Sequence, residues 1–179
     1  MATKSKKSQD KYKQAQFVVH PHHGAAKVVR KVNKNVEVFV EGEPKSKRIQ
    51  YFEIQVLMDG LTVMVPVESV DEVIRPIVSK NAISRKVFPI FKEKPEEAGT
   101  NWSRWYKVLT EKMTSGDIIQ VAEVVRDLHK NDDSLEQQSY SERQIYLTAL
   151  NRLSNEYAAV ENIDKKIAKK KLEDLLNKV

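Results

Sequence analysis

Few side chains in this 179-residue chain are placed to do chemistry. His20-Pro21-His22-His23 sets three imidazoles within four residues, and imidazole is the commonest protein metal ligand. Neighbouring histidines in a strand-to-turn segment point in different directions, and no carboxylate lies beside them in sequence. The cluster therefore reads as a turn and not as a metal site. Asp132-Asp133 would supply a carboxylate pair for acid-base work, but its place after a helical segment makes it a solvated loop. The absence of cysteine excludes a disulfide framework, a thiol nucleophile and a cysteine metal site. Walker, GxGxxG, GxSxG and HExxH patterns are absent too. The chain is expected to be no enzyme and to carry no cofactor or metal.

The other cluster is TNWSRWYK at 100–107, which holds both tryptophans with Arg104 and Lys107 interleaved. Indoles stack on or between bases, and the cations neutralise phosphate, so this combination suits nucleic acid. A helix starting near Asn101 would put Trp102, Tyr106, Leu109 and Met113 on one apolar face. Periodicity alone buries Trp102 and leaves Trp105 at the edge of that stripe, with Arg104 and Lys107 on other faces. Position argues the other way. Trp102 follows a loop running from Pro95 to Thr100 and stands at the very start of the helix, where its side chain can overhang the bundle. Thr100 or Asn101 would cap that helix, whose free N–H groups favour a phosphate nearby.

The elements that must hold these residues fall into two sets. From Phe17 to Pro66 the apolar residues come in short β-branched or aromatic runs (Phe17–Val19, Val28-Val29, Val36–Val40, Ile49–Leu57 and Leu61–Val65), which predict about five strands. His22-His23-Gly24, Glu41-Gly42-Glu43-Pro44 and Asp59-Gly60 separate them, and Asp-Gly between apolar runs signals a hairpin. Short antiparallel strands over so few residues should curl into a small barrel. Beyond Pro76 the period becomes helical: Ile118, Val121, Val125 and Leu128 share a face, as do Ile145, Ala149, Leu150, Leu153, Tyr157 and Val160, and then Ala168, Leu172, Leu175, Leu176 and Val179. Gly116-Asp117 gives a helix stop and then an N-cap, and Ser139 with Glu142 has capping-box spacing. Pro89 should kink or split the first helix. KKIAKKK at 165–171 reads as the wet face of the last helix. The expected fold is α+β in two domains: an antiparallel β-barrel over 16–75, preceded by a disordered basic arm over 1–15, and an all-α bundle of about five helices over 76–179.

Charge is distributed unevenly. The net +6 resolves into +4 over 1–15, zero over 16–75, +4 over 76–116, −4 over 117–160 and +2 beyond. Positive charge outside the arm thus gathers around the tryptophans, which favours a polyanionic partner there. Neither a signal peptide nor an 18-residue apolar run is present, so the chain is expected in the cytoplasm, away from membranes.

Four segments in series carry a resemblance: HPHHGAAKV at 20–28, LTVMVP at 61–66, TNWSRWYK at 100–107 and SGDIIQVAEVVRDL at 115–128. They resemble the CarD/CdnL family of bacterial transcription regulators over roughly residues 16–178, its actinobacterial CarD-like branch in particular. The resemblance implies that the barrel is a Tudor/SH3-like module binding the RNA polymerase β subunit, with Leu61, Val63, Met64 and Pro66 on the contact strand. It implies that the helical domain meets promoter DNA, largely without regard to sequence, at the upstream edge of the melted region. The family's wedge tryptophan falls on Trp102, which reverses the burial that periodicity favours, and its basic residues fall on Arg104 and Lys107. Trp105 stands where relatives have arginine, so a phosphate contact is lost or replaced by stacking. Met64 stands at a position that is arginine in some relatives and methionine in others, making that contact apolar. A basic contact of the second strand falls on Lys31 or Lys34, within a segment, 32–50, that is longer than in relatives. The implied regulator is a monomer, reaching the nucleoid through the polymerase. The alternative class is a scaffold whose two domains each bind a protein.

Overall fold

The computed structural model describes residues 12–40, 43–96, 99, 101–130 and 139–178. Thr100, Asp132-Asp133, Val179 and most of the basic arm lie outside the described residues.

Five strands form one antiparallel sheet in the order β4-β3-β2-β1-β5: β1 (Phe17–His20), β2 (Gly24–Val40), β3 (Glu43–Val56), β4 (Thr62–Pro66) and β5 (Arg75–Pro76). The edge strands β4 and β5 do not pair, so the sheet is not closed into the barrel that the sequence suggested. A short helix, α1 (Val70–Val73), lies between them. The apolar runs at 28–29 and 36–40 belong to one strand of 17 residues, and the fifth strand is the short pair Arg75-Pro76. The expected Asp-Gly turn does link β3 to β4. The Asp59 carboxylate accepts the Leu61 N–H at 3.0 Å, and Gly60 takes φ +75°, a region where a side chain is strained.

Inward residues of the sheet, among them Val18, Val28, Phe52, Ile54 and Val65, make one core. Tyr12 joins it. Its ring meets Phe52 edge-on at 6.0 Å and its hydroxyl donates to the Ile74 carbonyl, so the sheet domain begins earlier than residue 16.

Five helices follow among the described residues. α2 combines Lys80–Ala82, a π-turn at Ile83–Val87 and Phe88–Ile90; then come α3 (Trp102–Thr114), α4 (Ile118–Leu128), α5 (Tyr140–Glu161) and α6 (Lys165–Leu176). Pro89 lies in the last turn of α2, one residue before its end. The π-turn just ahead of it carries the Phe88 N–H back to the Ile83 carbonyl, and this wider turn accommodates a proline ring that a regular helix would not. The expected caps form. Asp117 accepts the Ile119 N–H at 2.9 Å, and Ser139 and Glu142 make both bonds of a capping box. Ala168, Leu172 and Leu176 bury one face of α6.

Two arginines tie the domains together. From β5, Arg75 grips the Glu156 carboxylate of α5 at 2.7 and 2.9 Å and donates to the Gly116 carbonyl at 2.6 Å. From α5, Arg152 donates to the carbonyls of Met113 (2.8 Å), Pro21 (3.3 Å) and His22. The β1–β2 turn can come this close because it turns on glycine. A Cβ on Gly24 would stand 3.2 Å from the Arg152 side chain, and φ there is +76°.

His20, buried beside this seam, has its pKa pushed down to about 4, first by desolvation and then by His23, His22 and Arg152. The folded protein therefore binds that proton less readily than the unfolded chain. Stability should be level above about pH 6.5 and fall as pH drops from there toward 4, and His20→Gln should flatten the slope in urea titrations. Glu156→Ala should cost about 2–3 kcal/mol, less than a fully buried pair would, because Arg75 keeps 30% of its side chain in solvent.

Candidate nucleic-acid and protein interfaces

The start of α3 is built by one cap, and one buried carboxylate holds the helix against α4. Asn101 holds extended backbone angles and its side chain accepts the Arg104 N–H at 3.1 Å, which sets where the helix begins. Ahead of it, Glu96 is anchored by Asp127, whose side chain is fully buried on α4. Its carboxylate accepts the Glu96 N–H at 2.9 Å and sits 2.7 Å from the Arg126 guanidinium. Arg126 also reaches Glu93 at 2.9 Å. Lys112 completes the group, 3.0 Å from Glu123, 3.3 Å from Glu96 and 3.6 Å from Asp127. Desolvation, the largest effect on this amine, lowers its pKa, yet Glu123, Glu96 and Asp127 together outweigh it and the pKa is raised.

The inward face of α3 carries Trp105, Leu109, Lys112 and Met113, with Leu109 and Met113 buried and Trp105 packed partly against the helical core. Trp102 and Tyr106 are 38% and 47% exposed, with ring centroids 6.1 Å apart. Lys112, a charged residue, is drawn inward by three carboxylates. Arg104 is exposed with no ion pair among the described residues, and Lys107 is exposed with only a loose 3.8 Å approach to Glu111. The helix start thus presents an indole, a phenol and two cations to solvent. Trp105 stands apart as a packing residue.

The second surface lies on the sheet. β4 pairs on one side only, with β3, so its other edge is unpaired within the sheet. Val65 opposite Phe52 is buried, and Val63 opposite Ile54 leans on the same core. Alternation then sends Met64 and Pro66 to the outer face, while Leu61, just before the strand, is 46% exposed. Val63 can therefore offer a partner its backbone but not its side chain. Met64 stands opposite Glu53, which pairs with Arg30 at 3.0 Å. The two candidate lysines part company here: Lys31 lies on the inner face with its amine 5.0 Å over the Phe52 ring, while Lys34 shares the outer face with Met64. The histidine turn forms no metal cluster, and none occurs among the described residues. Sequence reading missed Arg75, Glu156 and Arg152, whose partners lie up to 131 residues away.

A sheet with an unpaired β4 edge, joined to a helical bundle with an exposed aromatic-cationic end, makes a two-domain α+β protein. Comparison with known proteins agrees. A family model described as "CarD-like/TRCF RID domain" matches residues 12–78, and one described as "CarD, C-terminal domain" matches residues 86–173. The protein named "Putative transcription factor YdeB" from Bacillus subtilis (strain 168) is 29% identical over 152 residues, 83% of this chain and 92% of the relative. The chain belongs to the CarD family of transcription factors. Its RID domain implies RNA polymerase as a partner.

The division of labour between the indoles can be measured. Trp105→Ala should destabilise the protein by about 2–3 kcal/mol, as loss of a partly buried aromatic does, whereas Trp102→Ala should cost less than about 1 kcal/mol in the same urea titration.

Proposed function

We propose that the sheet domain binds the β subunit of RNA polymerase along β4, and that the helical domain then sets Trp102 against promoter DNA at the upstream edge of the melted region. The observation that carries this reading is the exposed Trp102–Tyr106 pair at a capped helix start, with Arg104 and Lys107 free to reach phosphate. An edge strand with an open backbone and apolar Leu61, Met64 and Pro66 suits edge pairing or packing against another protein.

Tethering through the sheet raises the local concentration of the helix start at the promoter, so weak DNA affinity suffices. An indole entering the minor groove must unstack a base step, which costs a few kcal/mol and is least costly beside DNA already opened. Binding the open promoter better than the closed one shifts the equilibrium toward it, about tenfold for each 1.4 kcal/mol of difference. No base edge has to be read, so the contact is largely independent of sequence, and no bond is made or broken. The protein acts in this way as a cytoplasmic monomer, held at the nucleoid by the polymerase.

Trp102→Ala should shorten the lifetime of the open complex by about tenfold while polymerase binding survives. An unchanged lifetime would remove the wedge from the mechanism. Met64→Glu should abolish capture by the β subunit, and a DNA affinity within the polymerase complex that ignores salt would point to a protein scaffold instead.

A further inference from the structure

Strands β2 and β3 continue well past their neighbours. β4 pairs with β3 only over 51–55 and β1 pairs with β2 only over 24–27, yet β2 and β3 remain in register for eight further pairs, from Asn33–Gln50 to Val40–Glu43. At about 3.3 Å per residue this is a two-stranded ribbon reaching roughly 26 Å beyond the sheet. A two-stranded ribbon with no third strand is marginal in water on its own.

Its two faces differ. One carries Asn33, Asn35, Glu37, Ser46, Arg48 and Gln50, side chains of balanced charge that suit solvent, with an exposed Phe39 opposite Pro44 near the tip. The other continues the outer face of the sheet. Register places Arg30, Glu53 and Met64 in one row and Val32, Tyr51 and Pro66 in the next; beyond them follow Lys34 with Ile49, Val36 with Lys47, Val38 with Lys45, and Val40 with Glu43 at the end. Val32, Val36, Val38, Ile49 and Tyr51 are half-exposed, and Lys34, Lys45 and Lys47 are exposed without an ion pair among the described residues. Apolar and cationic side chains thus share one face, contiguous with Met64.

We propose that this ribbon face is a second docking surface, and that its occupant is an acidic protein surface with apolar patches, on the polymerase next to the one that takes β4. The inference rests on the reading of β4 given above. Three unpaired lysines call for carboxylates on the partner, and the half-exposed valines between them call for apolar contact. Duplex DNA answers only the first need, because a phosphate backbone offers valine and isoleucine nothing to bury against. The hydrogen-bonding face, which would suit base edges, carries no net charge to bring it there. Both requirements point to protein.

Full-length protein binding to purified RNA polymerase core enzyme tests this. Lys45→Glu with Lys47→Glu should weaken affinity about tenfold at low ionic strength, with the difference shrinking as salt is added. Val36→Ser with Val38→Ser should weaken it as well, at all salt concentrations. Wild-type affinity in both variants overturns the inference, and so does a loss seen with duplex DNA alone in place of polymerase. Met64→Glu measured in parallel separates the two readings. If it loses binding while the ribbon variants keep it, the ribbon is not a docking surface and β4 stands; if the ribbon variants lose binding while Met64→Glu keeps it, the ribbon stands and β4 does not.

Discussion

Two guanidinium groups crossing in opposite directions hold the sheet against the helices, and the use of both domains depends on them. Arg75 reaches from the last strand to Glu156 and the Gly116 carbonyl, while Arg152 reaches back from α5 to the β1–β2 turn. A link of this kind is directional. Each guanidinium offers donors in a fixed plane, so the bond set specifies an angle between the domains and not merely their proximity. A protein that grips one object with its sheet and touches another with its helices needs that angle. Were the domains joined by a slack tether, the second contact would depend on search; joined rigidly, it is placed by the first.

Inside the helical domain the Asp127 carboxylate has a comparable part. It gathers the Glu96 backbone N–H, a guanidinium from its own helix and an amine from α3, and so holds α3 against α4. A buried charge carries a desolvation cost, and it persists because several partners share it. Trp102 points within about 20° of the buried Leu109 and Met113, so its exposure comes from its place in the first turn of α3 and not from the direction it faces.

Local features of the fold were legible in the sequence. Asp59-Gly60, Gly116-Asp117 and the Ser139–Glu142 box each act within a few residues, so their chemistry is written in adjacent letters. The helical stripes of α4 and α6 were legible for the same reason. The long ribbon was not read as one strand pair, because neither of its faces is fully buried, and the alternation that signals a strand depends on one buried face. Tyr12 was lost among lysines, although its ring closes the sheet core. The ion-pair group between α3 and α4 was hidden, because Lys112 is a charged residue that faces inward. Charge and motif order pointed to the helix start as a site, the resemblance set Trp102 in the open against its own periodicity, and the packing shows Trp105 leaning on the core.

That separation has a spectroscopic consequence. The chain's two tryptophans differ in environment, one 38% exposed beside Tyr106 and the other packed partly against the helical core. Their emission therefore has a longer-wavelength and a shorter-wavelength component arising from neighbouring turns of a single helix. A ligand stacking on the outer ring would quench the first and spare the second, whereas unfolding would shift both, the second further. The protein carries an unlabelled optical reporter that distinguishes occupancy from loss of structure.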